Sequence, residues 1–318
     1  MPGDWIIGRG ATFRCSSQAR GTAAVSPRSS ASTDLKLRLQ PPPPRLLKHP
    51  PSWAAPTMAK VSKAHDHRAN RLLAALGADD YAALAQNLEV VALPGRKVLY
   101  EPGETIEHAY FPHDAIISLI AVFADGGSVE MALFGCEGVV GFASSLVSRA
   151  NSLGRYMVQV PGTASRIPVK RLRSVAQGRS RVQELLLRYT EALLAQTFQN
   201  VACNAVHSVE ARCCRWILCT QDRVGREHLL LTHQFLADTL GVQRSTVSLI
   251  ARGLQKRGLI EQRRGLITVA NRAGLEEIAC ECYQTTRRTF ERLLPHTYSR
   301  PSPSRAVAAA SLRPQLSR

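Results

Sequence analysis

From position 70 onward the chain alternates between stretches with a helical repeat of apolar residues and stretches with a two-residue repeat. Residues 70–88, NRLLAALGADDYAALAQNL, give two short helices broken at Gly77. From Val90 to about Pro168 short β-type runs take over, separated by turns such as Pro102-Gly103 and the hairpin signal Asp125-Gly126-Gly127. Many brief strands at close spacing predict a compact antiparallel barrel or roll. Residues 179–218 then contain no Gly or Pro and predict one long helix. Its apolar positions fall on two stripes. Leu187, Leu194, Phe198, Val201 and Ala205 form a seam suited to a partner helix, and Leu186 and Leu193 form a second stripe suited to packing on the roll.

The most informative stretch is LTHQFLADTLGVQRSTVSLIARGLQKRGLI, residues 231–260. Thr232 is a candidate N-cap for HQFLADTL, and Gly241 allows a tight turn. A second helix follows from about Arg244 and stops at Gly258. Two short helices joined through such a turn predict a helix-turn-helix. At about 100° per residue, Val247, Ile250, Ala251 and Leu254 share the inward arc. Ser245, Leu249, Arg252 and Lys256 face outward, with Arg244, Thr246 and Ser248 on the shoulders. That mixture suits a DNA major groove, where Arg pairs with guanine, hydroxyls reach bases or phosphates, and an apolar group touches a thymine methyl. LIEQRRGLITVA then predicts a hairpin wing with Arg263 and Arg264 at its tip.

Charge strengthens this reading. The 318 residues carry 41 Lys+Arg against 24 Asp+Glu, a net charge of +17. Residues 58–295 keep 29 basic and 22 acidic side chains, so the excess is not confined to the ends. A basic body favours a polyanionic partner, nucleic acid before membrane. Between positions 226 and 272 there are eight basic residues (226, 244, 252, 256, 257, 263, 264, 272) against Glu227, Asp238 and Glu261.

Residues 1–57 are rich in Ser, Ala, Arg and Pro and carry a PPPP run; they read as a disordered extension or a product of start-site choice. Residues 296–318 read as a disordered tail. The body divides into a sensor roll (58–178), a dimerisation helix (179–224) and a winged helix-turn-helix domain (225–295), an α+β chain. No secretory signal or span of about 20 apolar residues is evident, and the eight cysteines show no disulfide framework, which predicts a cytoplasmic protein with reduced thiols. Cys213, Cys214, Cys219, Cys280 and Cys282 lack paired ligand spacing, so neither a metal ion nor an iron–sulfur cluster is expected. His108, His113, Glu130, His228 and His233 are scattered, with no phosphate loop or nucleophile elbow, so an enzyme is not expected.

These motifs, with YEPGE, YFP and GCEGVVG in the roll, resemble the Crp/Fnr family of bacterial transcription regulators across about residues 70–290. The resemblance implies a roll that senses a small molecule, a homodimer formed through the long helix, a pseudo-palindromic double-stranded DNA site and possible contact with RNA polymerase. It matches Arg244 to a base-reading arginine, and with the outward face of the second helix base reading falls to Arg244, Ser245, Ser248 and Leu249. Phosphate contacts fall to Thr232, Gln234, Gln243, Thr246, Arg252, Lys256, Arg263 and Arg264. Ser245 stands where the best-known member has Glu, and Leu249 where it has a second base-reading Arg, which implies a different operator. In the roll, Gly141-Phe142 and Ser152-Leu153 stand where cyclic-nucleotide binders have Gly-Glu and Arg-Ser or Arg-Thr. A cyclic nucleotide is therefore not expected. Glu130, Cys136, Glu137, Gly138, Gly141, Arg149 and Arg155 remain candidates to line a pocket for an unknown effector. The alternative is a ligand-binding signalling module whose winged helix contacts protein.

Overall fold

In the computed structural model, residues 66–124, 127–142, 151–263, 265–295 and 297–298 are described. The expected extension over 1–57, nearly all of the expected tail, the tip of the Asp125-Gly126-Gly127 hairpin, Arg149 and Arg264 lie outside them. None of the described helices is long and apolar enough to cross a membrane.

The roll begins after two short helices, α1 (Arg71–Ala74) and α2 (Ala78–Ala85). Its strands are β1 (Glu89–Leu93), β2 (Val98–Tyr100), β3 (His108–Pro112), β4 (Ile116–Val122), β5 (Ser128–Phe134), β6 (Arg155–Val160) and β7 (Gly162–Pro168). They form two antiparallel sheets, β1-β7-β3 and β2-β6-β4-β5. Alternate residues of β6 (Tyr156, Val158 and Val160) are buried, as expected of a strand with one face on a core. Tyr100, Tyr110, Phe111, Phe134, Phe142 and Tyr156 fill the interior between the sheets.

Helix α3 (Val169–Gly178) leads into α4 (Ser180–Val206). Along α4 the residues Val182, Leu186, Tyr189, Ala192, Gln196, Asn200 and Cys203 are buried, a helical stripe facing the roll. The amides of Gln196 and Asn200 donate to the carbonyls of Leu133 and Met131 on β5, which covers backbone that an edge strand otherwise exposes. Leu187, Leu194, Phe198 and Val201 occupy the opposite stripe and are 51, 50, 68 and 66% exposed.

The single helix expected over 179–218 is corrected: it is two. His207 and Ser208 take extended ψ values of 145° and 151°, and α5 (Val209–Val224) restarts in a new direction. No Gly or Pro is needed for this break, because the Ser208 hydroxyl accepts the Ala211 N–H and caps the new helix.

Helix α5 lies under the C-terminal unit: β8 (His228–Leu229), α6 (His233–Leu240), α7 (Arg244–Lys256), β9 (Ile260–Arg263), β10 (Leu266–Val269), α8 (Arg272–Ile278) and α9 (Cys282–Leu293). Its core joins Trp216, Ile217, Leu218, Leu236, Val247 and Leu254 to Ile116, Leu133 and Val160 of the roll. Buried charge crosses the same boundary. Arg223 of α5 donates from Nε to Glu137 Oε1 at 2.6 Å, with both side chains 1% exposed, and from Nη2 to Gln196 Oε1 at 3.0 Å. Gly135 makes room for the Arg223 stem, since a Cβ there would sit 2.7 Å from it.

Candidate nucleic-acid interface

Local sequence rules set each part of the helix-turn-helix. The Thr232 hydroxyl accepts the Phe235 N–H at 3.1 Å and opens α6. Gly241 ends that helix at φ 66°, a left-handed conformation that disfavours any side chain with a Cβ. Helix α7 begins at Arg244, the start expected from the sequence. Val247, Ala251 and Leu254 are 0–1% exposed, whereas Leu249 is 65% exposed. Arg244, Ser245, Arg252 and Lys256 are exposed, and Thr246 and Ser248 are half-buried on the shoulders.

A connection that sequence reasoning missed binds this helix to the wing. His233 Nδ1 lies 3.0 Å from Ser248 Oγ, and His233 Nε2 lies 2.7 Å from Gln262 Oε1 on β9. With the Gln262 oxygen as acceptor, Nε2–H donates to it and Nδ1 accepts the Ser248 hydroxyl proton. Ser248 is thereby oriented by α6 and the wing rather than standing free on the outer face of α7.

The basic residues divide into two groups. Arg226 is paired with Asp114, Arg257 with Glu210, and Arg272 with Asp222 and Glu276. Arg244, Arg252, Lys256 and Arg263 make no ion pair among the described residues and are exposed. The count of eight basic residues thus overstates the charge on offer, and what remains is concentrated on α7 and the wing. Gln234 donates to Asp238 on the exposed side of α6, and Gln243 holds the cap position of α7, 3.5 Å from the Ser245 hydroxyl.

The sequence profile of the Crp-like helix-turn-helix domain matches residues 211–278, from α5 through α8. The chain carries a Crp-like helix-turn-helix domain. FixK2 from Bradyrhizobium japonicum superposes with a TM-score of 0.53 at 17% identity, covering 61% of this chain and 98% of that one. The c-di-GMP responsive global regulator CLP of Xanthomonas campestris gives 0.51 at 18% identity, covering 61% and 99%. At such identities the likeness is one of fold. No curated protein sequence matches the chain.

The sensor candidates among the described residues do not converge on one site. Glu137 and Cys136 turn toward α5: Glu137 pairs with Arg223, and the Cys136 thiol donates to the Arg223 carbonyl. Gly138 is pressed against Tyr189 of α4, where a Cβ would lie 2.4 Å from the phenol oxygen. Gly141 turns at φ 78° beside the His108 carbonyl. Arg155 is at the surface, paired with Glu101 at 2.9 Å. Of the residues standing where cyclic-nucleotide binders carry their Glu and Arg, Phe142 is 3% and Ser152 5% exposed.

Glu130 faces α5 from β5. Part of the residue reaches solvent, but its carboxylate is enclosed and accepts from Ser118 Oγ and from Trp216 Nε1 at 3.2 Å. Burial pushes its carboxyl up from an ordinary 4.5 to about 7, with the Ser118 hydroxyl, Arg215 and Trp216 pulling in the other direction. The folded chain therefore holds a proton that the unfolded chain releases at lower pH. The Glu130 contribution makes stability fall as pH rises from about 4.5 to about 7. Urea midpoints at pH 5 and pH 8 check this. Glu130→Gln is expected to remove that part of the decline, and an unchanged pH profile in the variant rules out Glu130 as its source.

Proposed function

We propose that the protein is a homodimeric, sequence-specific DNA-binding transcription regulator. It places two copies of α7 in successive major grooves of a pseudo-palindromic site, about 34 Å apart. The observation that carries this reading is the division of α7 into a closed apolar face and an exposed face of Arg244, Ser245, Leu249, Arg252 and Lys256. Arg244 reads a base by two hydrogen bonds, and Leu249 touches a thymine methyl. Arg252, Lys256 and Arg263 meet phosphates, with Thr232, Gln234, Gln243 and Thr246 as neutral partners. The exposed stripe of α4 supplies the self-contact. Phe142 and Ser152, at the positions where cyclic-nucleotide binders carry charge, argue against cyclic AMP bound in the usual way.

The test is operator selection from random duplexes followed by fluorescence anisotropy. Arg244→Ala is expected to lose about 1–3 kcal/mol of specific affinity and to relax preference at one position in each half-site. Its non-specific affinity should change far less. Equal wild-type affinity for selected and scrambled duplexes overturns the proposal.

A further inference from the structure

Four side chains away from the DNA-facing surface meet at the break between α4 and α5. Cys203 and His207 stand one turn apart at the end of α4, on one helix face. Cys280 and Cys282 flank Glu281 in the link from α8 to α9. One ligand atom from each of the four lies within 4.8 Å of all the others. Cys203 Sγ is 3.5 Å from Cys280 Sγ, and Cys282 Sγ is 3.5 Å from His207 Nδ1. Tetrahedral Zn2+ with bonds of about 2.3 Å to sulfur and about 2.0 Å to nitrogen sets its ligand atoms about 3.5–3.8 Å apart. Small side-chain shifts bring all four into that geometry.

The surroundings are those of a ligand set rather than of packed thiols. His207 turns Nδ1 toward the sulfurs, while Nε2 lies 3.1 Å from Glu281 Oε1, the carboxylate–histidine arrangement that fixes a metal-binding imidazole. Gln199 Nε2 donates to Cys282 Sγ at 3.0 Å. The guanidinium groups of Arg212 and Arg215 act electrostatically on Cys203 and Cys280. Three thiolates and a neutral imidazole around a divalent ion carry one net negative charge, which those arginines offset. The three cysteines are buried, so the set is closed, as in structural rather than catalytic sites.

We infer that Cys203, His207, Cys280 and Cys282 form a Cys3His site for a thiophilic tetrahedral cation, Zn2+ by its chemistry, that ties the end of α4 to the α8–α9 link. Binding releases three thiol protons to solvent and moves no electron. The rival is a Cys203–Cys280 disulfide, which requires the sulfurs to close to about 2.05 Å and leaves Cys282, His207 and Glu281 without a part.

Elemental analysis of the reduced full chain, purified without chelator, is expected to find about one zinc per chain. After chelator stripping under reductant, Co2+ is expected to give the visible d–d bands of a tetrahedral ion and sulfur-to-metal charge transfer, saturating at one equivalent. His207→Ala, a partly exposed position, is expected to weaken Co2+ binding more than tenfold and alter the band shape. Glu281→Gln is expected to weaken it about 10–100-fold with the bands retained. Cys213→Ala, a buried thiol of α5 outside the set, should leave the titration unchanged. The site is overturned if the reduced wild type gives no tetrahedral cobalt spectrum, or if His207→Ala titrates like wild type. A Cys203–Cys280 crosslink in metal-free protein as isolated overturns it in favour of a thiol switch. These readouts follow metal rather than DNA, so the site and the DNA reading fail separately.

Discussion

Arg223→Ala is expected to destabilise the protein by about 3–5 kcal/mol, because it strands the Glu137 carboxylate in a dry interior. The guanidinium occupies a closed space. It contacts Glu137, Gln196 and the Cys219 carbonyl, and its stem lies over Gly135. Burial opposes its charge, and the Glu137 carboxylate more than restores it, holding the group well above its ordinary range. Truncation removes the positive partner and leaves a cavity beside a carboxylate whose side chain is 1% exposed. Equilibrium urea denaturation measures the loss. The double change Arg223→Met with Glu137→Leu separates charge from volume: it should recover most of the lost stability, since an apolar pair of similar size is tolerated where a broken ion pair is not. A cost below about 1 kcal/mol for Arg223→Ala, within the range of exposed pairs, shows that the pair does not hold α5 to the roll.

Phe198→Asp is expected to leave the fold intact and abolish tight binding to a two-fold operator. Phe198 is 68% exposed on α4, with Leu194 and Val201 on the same stripe, so its loss removes no internal packing. In a two-fold dimer every contact occurs twice, and burying a Phe contributes about 1.5–3 kcal/mol each time. Two carboxylates facing each other across the axis add repulsion. Light scattering is expected to show monomer at concentrations where the wild type is dimeric. Operator affinity should drop toward the non-specific level, which lies roughly 4–10 kcal/mol below specific binding. A dimeric Phe198→Asp variant with wild-type affinity removes this stripe as the self-contact.

The parts legible in the sequence were those with local causes. Thr232, Gly241 and the Val247, Ala251, Leu254 repeat act within a turn or two of chain, and each lies in the structure as the pattern implies. The outward direction of Leu249 follows from the same repeat. The break at His207 carries neither Gly nor Pro, and its one local signal is the Ser208 cap. Contacts between distant segments left no periodic trace. Arg223 and Glu137 are 86 residues apart, and His207 and Cys282 are 75 apart. The spacing of the thiols within any single stretch gives no sign of their grouping, since the fold brings Cys203 and His207 from a helix end and Cys280 and Cys282 from a link. Counting charge also misled in part, since Arg226, Arg257 and Arg272 are occupied by carboxylates that only the fold brings near.

The anchoring of α5 bears on how spacing on DNA would be set. Trp216 and Arg223 fasten that helix to Glu130 and Glu137, and α7 is seated on the same apolar core. Each reading helix therefore inherits the orientation of its own roll. In a pair of subunits, the distance between the two helices then depends on the tilt at the shared seam. In the proposed dimer a slight rotation there, far from any nucleotide, would shift both helices in concert and decide whether they meet neighbouring grooves in phase.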